Sequence, residues 1–467
     1  MLGARTDAMH RRQWLGQAGI LAGFLGWPAA GADSSAHPGL HHPAKARRVI
    51  CLFMSGGPSQ MDLFDPKPKL KALHGQELPP SVRDGQRFTD MTENQKSFPL
   101  AGSPFQFVKA GRAGMDFSEL IPHMAGIADE MTVIRSMRTE PINHDTAVNF
   151  WLTGSPRAGR PTLGAWLSYA LGSGNRDLPA YVVLLSGSGG QPLQSAYWAN
   201  GFLPPQHQGT QFRDSGDALL YLNDPPGISP ASRQRTYDAL AALNKAHFDE
   251  VGDPEIAARI HAYDQASRLQ RVAPELVNLA AEPKSVLRQY GVKPGQPSFA
   301  ANCLLARRLV ERGVRFVQLC HRDWDHHSAL HEGLPKQCRN TDRASAALVN
   351  DLKSRGLLDD TLVIWGGEFG RTAFSQGELT LNSFGRDHHP RCFTIWMAGG
   401  GFKRGFVYGK SDEFGYNLVE NPVHVHDLQA TVLHALGIDH TRLTFRYQGR
   451  DFRLTDTGGR TISDLLA

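Results

Sequence analysis

Histidine and carboxylate side chains crowd two short stretches of this chain. "HRDWDHHSALHE", residues 321–332, carries His321, Asp323, Asp325, His326 and His327. "GRDHHPR", residues 385–391, carries Asp387, His388 and His389. The first follows the apolar run "VRFVQLC" and the second precedes "CFTIWMAGG". Imidazole and carboxylate together suit a borderline divalent cation, with zinc, manganese and iron all compatible. Three further places offer similar chemistry. Ser55, Gly56, Gly57 and Asp62 follow "RRVICLFM", Glu368 follows "TLVIWGG", and His144 and Asp145 open "HDTAVNFWLTG". Each alone has a plain structural reading: an exposed loop, an N-cap at Asp323, a turn at "SGGPS", a Glu368 partner for Arg371 or Arg386. Their convergence on strand ends predicts one polar, metal-binding site.

The elements that must position these groups are legible as alternation. Short apolar runs rich in Val, Ile and Leu read as strands over 48–54, 132–137, 180–187, 314–320, 361–365 and 392–397. Helical patterns separate them, including "MDFSELIPHMAGIADEM", "HDTAVNFWLT", "DRASAALVNDLKSRG" and "HVHDLQATVLHALG". Strand and helix in alternation predict an α/β fold, a largely parallel sheet between helices. Such a sheet places its site past the C-terminal ends of its strands. Residues 215–312 are rich in Ala, Leu, Arg and Glu and read as a helical insertion within one domain spanning 47–467.

The chain has 467 residues, a formal charge of +5 and 41% hydrophobic residues. That is ample for a large core. The small, dispersed basic excess argues against a nucleic-acid footprint, which needs a concentrated stripe. Five cysteines without a C-x-x-C pair do not read as a disulfide framework, and Cys51, Cys320 and Cys392, in or beside apolar runs, read as buried small hydrophobes. No Rossmann fingerprint or haem motif supports an oxidoreductase. At the N-terminus, Arg11 and Arg12 precede a Gly-containing apolar stretch and Ala30-Gly31-Ala32. Residues 1–32 therefore resemble a twin-arginine export signal, and 33–46 read as a linker. The expected location is periplasmic or secreted, with no transmembrane segment once the signal is removed.

The order of the motifs resembles the alkaline phosphatase and sulfatase superfamily. "VNDLKSRGLLDDTLVIWGGEFGRT", "HPRCFTIWMAGGG" and "HVHDLQATVLHALGID" are similar to its late helix, strand and loop sequence, and "HDTAVNFWLTGSPR" to the helix that starts at its nucleophile. "GGPSQMDLFDPKP", "GGEFGRT" and "GRDHHPR" together resemble an exported, sulfatase-like family of unknown function within that superfamily. The resemblance implies an alkaline-phosphatase-like architecture and a metal-dependent hydrolase acting on a small-molecule or saccharide ester of sulfate or phosphate.

It also implies residues. Asp323 and His327 match an Asp-x-x-x-His ligand pair, with His388 or His389 as the later ligand and His326 alongside. The second metal site departs from the pattern, with Ser55-Gly56 in place of Asp-Gly and Glu368-Phe369-Gly370 in place of Asp-His-Gly. The nucleophile position falls on His144. Three readings follow. His144 is a ligand and Asp62 and Glu368 rebuild a second site; or His144 is a nucleophile or general acid–base; or the chain is a non-catalytic periplasmic binding or assembly protein on a degenerate scaffold. In the active readings Arg371 and Arg386 clamp an anionic substrate beside Ser55 and Gly56.

Overall fold

"RVICLFM" forms strand β1 (Arg48–Met54), which is buried after its first residue. A strand covered on both faces reads as a near-continuous apolar run. Its alternate side chains feed two separate cores: Ile50, Leu52 and Met54 on one face, Val49, Cys51 and Phe53 on the other. The computed structural model describes residues 38–467 except 84, 191–192, 213–226 and 381–383. The expected signal, 1–32, and the first residues of the linker lie outside the described residues.

Eight further strands complete the sheet: β2 (Met131–Arg138), β3 (Tyr181–Ser186), β4 (Thr210–Phe212), β5 (Phe316–His321), β6 (Thr361–Gly366), β7 (Phe393–Ala398), β8 (Phe406–Tyr408) and β9 (Val423–His424). The order is β8-β2-β7-β6-β1-β5-β3-β4, with β9 also on β2. Every pairing is parallel except those of β7, which runs antiparallel to both β2 and β6. The α/β sheet between helices expected from the alternation is what forms.

On the two faces lie different helices. Helices α1 (His144–Thr153), α2 (Leu163–Leu171) and α7 (Val425–Ala435) bury Val148, Trp151, Trp166, Leu167, Val432 and Leu433 on the Val49 side. Helices α5 (Phe299–Glu311) and α6 (Leu330–Ser354) bury Leu304, Leu309, Leu348 and Leu352 on the other. Between β4 and α5, helices α3 (Pro230–Val251) and α4 (Pro254–Val277) pack on each other, and α4 sends Leu269, Ala273 and Leu276 into the Leu304 core. No helix among the described residues is long and apolar enough to cross a membrane.

Two local expectations differ from the structure. "MDFSELIPHMAGIADEM" is not one helix. Met115–Ser118 pairs antiparallel with Phe107–Ala110, and helix resumes only for Pro122–Ala125. Pro122 lacks the N–H that a continuous helix would need there, and is tolerated at a helix start instead. His41 and His42 are not loose: His41 Nδ1 accepts the Asp439 N–H at 2.9 Å, and the His42 ring lies 4.3 Å from that of His434.

Candidate metal centre

Topology gathers the site. Strands β1, β2, β5 and β6 are mutually parallel, so the segments that follow them leave from one edge of the sheet. Antiparallel β7 starts at that same edge, so the loop entering it arrives there too. Gly56, His144, Asp325 with His327, Glu368 and His388 thus come from five stretches of chain.

Four side chains converge: one ligand atom each from His144, Asp325, His327 and His388 lies within 4.8 Å of the others. Asp325 is central. Its Oδ1 is 2.8 Å from His327 Nε2 and 3.3 Å from His388 Nε2, and its Oδ2 is 3.1 Å from His144 Nε2. Each imidazole is anchored through its other nitrogen. His144 Nδ1 donates to Glu368 Oε1 at 2.7 Å, His388 Nδ1 to the Ile142 carbonyl at 2.7 Å, and His327 Nδ1 to Gln376 Oε1. An acceptor on Nδ1 fixes tautomer and ring orientation and leaves Nε2 to face a metal. His144 and His388 are buried, whereas the Asp325 and His327 side chains keep 13% and 23% exposure, so the cluster opens to solvent on their side.

The donor set fits a cation. Burial holds the His388 imidazole neutral, down to about 4, against the pull of Asp325. Its Nδ1 is taken by the Ile142 carbonyl, so its Nε2, 3.3 Å from Asp325 Oδ1, is the nitrogen left to meet a cation. His144 Nε2, on a buried ring, lies 3.1 Å from Asp325 Oδ2. Burial alone would lower the His144 pKa, but Asp325 and Glu368 raise it to about 9. Asp325 itself resists its burial: the Arg371 guanidinium and the three imidazoles hold its carboxyl well below the usual range. Three imidazoles and one carboxylate, with an open side, match the donors that zinc, manganese and iron share.

Glu368 and Arg371 build the wall behind the ligands. Glu368 is fully buried and accepts the Gly56 N–H at 3.0 and 3.2 Å as well as His144. Arg371 donates to the Gly56, Gly57 and Arg386 carbonyls and, at 2.5 Å, to Asp325 Oδ1. Gly56 has φ +119°, and a Cβ there would sit 2.6 Å from the Asp325 nitrogen. Only glycine lets the two loops approach this closely. The Phe369 ring closes the buried side, 4.4 Å from His388 and 5.0 Å from His144.

A family model matches residues 46–466. The chain belongs to that family, described as "Protein of unknown function (DUF1501)". Comparison with curated proteins returns no match. Among solved structures this DUF1501 chain is similar to the PsFucS1 sulfatase from Pseudoalteromonas sp., with 13% identity, a TM-score of 0.34 and 84% of this chain and 68% of that one covered. It is similar to the lipoteichoic acid synthase LtaP from Listeria monocytogenes, with 9% identity, a TM-score of 0.34 and coverage of 88% and 74%. It is also similar to a protein in the alkaline phosphatase superfamily from Vibrio parahaemolyticus, with 11% identity, a TM-score of 0.33 and coverage of 86% and 69%. Likenesses of this size bear on neither mechanism nor substrate.

Within the DUF1501 chain, the residues singled out from sequence separate into two groups. His144, His327 and His388 meet, with Glu368 and Arg371 directly behind them and Gly56 against Asp325. Asp323 does not join the cluster; Gln337 Nε2 donates to it at 2.8 Å. His389 faces away, between Gln86 at 2.9 Å and the Tyr416 carbonyl at 2.6 Å. The His326 ring lies against Gly333 of α6. Asp62 and Arg386, both without solvent exposure, form a two-pronged pair at 2.7 and 3.2 Å, and Arg386 also donates to the Thr372 and Ala101 carbonyls. Ser55 takes part through its backbone, donating to His321 and accepting from Trp324. The arginines expected as an anion clamp are therefore taken up by internal partners. Asp325 is the member that motif spacing passed over. Its signal was the i, i+2 relation to His327, which puts both on one side of an extended segment.

Proposed function

We propose that this chain is an exported, metal-dependent hydrolase of a sulfate or phosphate ester, with its metal on His144, Asp325, His327 and His388. One observation carries the metal: His144, Asp325, His327 and His388 each bring one ligand atom within 4.8 Å of the others, with every imidazole held through its Nδ1. The ester class rests on the motif resemblance, and export on the arginine pair at Arg11 and Arg12.

A divalent ion on these ligands would supply Lewis acidity and a lowered pKa for water. The chain's own residues do the rest. Glu368 fixes the His144 tautomer, and Gly56 fixes Glu368. Arg371 keeps Asp325 ionised and aimed. Phe369 excludes water from the buried side, and the exposed edges of Asp325 and His327 are where water and ester enter. His144 occupies the position the resemblance gives to a nucleophile, but both of its nitrogens are engaged. The cysteines are no substitute, as all are buried and burial pushes the Cys320 thiol up to about 12. Water therefore attacks the sulfur or phosphorus directly, and the bond to the ester oxygen breaks in the same displacement, releasing the alcohol and inorganic sulfate or phosphate.

Metal analysis of purified wild type and of a His327→Ala, His388→Ala double variant tests this. Stoichiometric metal in the wild type alone, with hydrolysis of 4-nitrophenyl sulfate or phosphate that chelation abolishes, is the expected result. Folded wild type that takes up neither zinc, manganese nor iron would refute it. A second reading, a metal-binding protein without turnover, is favoured by the internal engagement of Arg371 and Arg386. It predicts the same stoichiometric metal with no ester hydrolysed.

A further inference from the structure

Asp323, the glycine loop after β3 and the histidine that ends β5 play no part in the metal centre, yet they are joined. Ser186 Oγ lies 2.9 Å from His321 Nδ1, His321 Nε2 lies 3.0 Å from Gln337 Oε1, and Gln337 Nε2 lies 2.8 Å from Asp323 Oδ2. The direction of every proton is determined. The Asp323 carboxylate only accepts, so the Gln337 amide nitrogen must face it. The Gln337 oxygen then accepts from His321 Nε2–H, and the bare His321 Nδ1 accepts the Ser186 hydroxyl. Ser186, His321 and Gln337 are all buried, with 3%, 3% and 2% exposure. A Cβ on Gly190 would stand 3.1 Å from the Asp323 nitrogen, so the glycine loop closes directly over the end of the chain.

We infer that Ser186, His321, Gln337 and Asp323 form a positioning relay that sets the place of the ligand loop, and that Asp323 holds that loop rather than binding metal. The inference rests on the metal reading of the site. Asp323 adopts φ +78°, a left-handed conformation that costs a non-glycine residue energy unless its surroundings hold it. Two residues later comes Asp325. Between them, Trp324 is buried at 1% exposure and its backbone N–H donates to the Ser55 carbonyl at 3.2 Å. The reversal at Asp323 and the anchoring of Trp324 leave Asp325 one direction to take, toward His144, His327 and His388. Ser186 is enclosed and serves as a hydrogen-bond donor, not a nucleophile.

The test is metal affinity by competition with a chromophoric chelator, together with the d–d absorption of the cobalt-loaded protein. Gln337→Met removes both of its hydrogen bonds at similar volume and should weaken zinc binding by about 10- to 100-fold, the size of other outer-shell losses, and change the cobalt spectrum. Asp323→Ala should do the same. Asp323→Asn can still accept from Gln337 and should stay within about threefold of wild type, which a metal ligand would not do. If Gln337→Met does not fold, the Asp323 pair decides alone. Wild-type affinity and spectrum in Gln337→Met or Asp323→Ala would overturn the relay, and equal losses in Asp323→Asn and Asp323→Ala would make Asp323 a ligand. A wild type that binds no metal would instead fail the reading on which the relay rests, and the relay with it.

Discussion

His388 and His389 are adjacent in sequence and opposed in space. His388 Nε2 lies 3.3 Å from Asp325 Oδ1, while His389 Nε2 donates to the Tyr416 carbonyl at 2.6 Å on the other side of the strand. Both belong to the two-residue ladder that His388–His389 forms with Gly370–Arg371, and an extended backbone sends successive side chains to opposite faces. His388→Ala should therefore abolish stoichiometric metal in a folded protein. His389→Ala should keep the metal and lower stability by about 1–3 kcal/mol, because two buried partners lose their hydrogen bonds. Metal content and denaturant unfolding of the two variants check this. The reverse pattern would exchange their roles.

Asp62 and Arg386 form a scaffold pair with no exposure. Arg386→Met should destabilise by about 3–5 kcal/mol, since it strands a buried carboxylate. Replacing both partners with apolar residues should recover much of that loss. Chemical denaturation of the two single variants and the double variant measures the coupling. Additive losses would show that the pair does not act as a unit.

Glu368 acts on the metal through His144. Glu368→Gln keeps an acceptor for His144 and loses the charge, so metal affinity should fall by about 10-fold or more, and the metal-free protein should lose part of the stability that its pairing with protonated His144 supplies. Glu368→Ala also strands the buried Gly56 N–H, which adds about 1–3 kcal/mol of destabilisation. Chelator competition and thermal unfolding separate the two effects. An unchanged metal affinity in Glu368→Gln would remove Glu368 from the site.

Proton and metal compete at His144. Its pKa is raised from 6.5 to about 9 in the metal-free fold. Stability from that pairing is fully present below about 6.5 and is lost as pH rises through 9. Metal must displace the proton, so the stabilisation that added zinc confers should grow between pH 6.5 and 9. His321 runs the other way. Burial depresses it to about 4, so its contribution is present above 6.5 and lost as pH falls toward 4. Thermal unfolding with chelator and with zinc, across pH 4–9.5, reads both. A zinc-induced shift independent of pH would sink the displaced proton.

The sheet could be read from the chain because its signal is local. Strand β1 is apolar at each buried position, and β5, β6 and β7 are mostly so, with Gln318, His321, Thr361 and Thr394 as their buried polar residues, since both faces of these strands are covered. The edge that holds the site was legible for the same reason: polar groups gather directly after such runs. Histidine and carboxylate chemistry likewise followed from the residues placed after those runs, and the family resemblance pointed to His144, His327 and His388 among them.

The choice among neighbours was not local. Asp323 or Asp325, and His388 or His389, differ only in which way a side chain leaves an extended or kinked backbone. The left-handed turn at Asp323, the close approach of Gly56 to Asp325 and the antiparallel sense of β7 settle those directions. Arg371 and Arg386 carry the same ambiguity. A guanidinium beside a site can hold a substrate or the scaffold, and only the carbonyls and carboxylates around it, drawn from distant parts of the chain, fix which. Sequence alone determined that imidazoles and carboxylates would meet at one edge of a parallel sheet. Tertiary structure decided which four meet, because ligand geometry depends on backbone direction and on contacts between segments hundreds of residues apart.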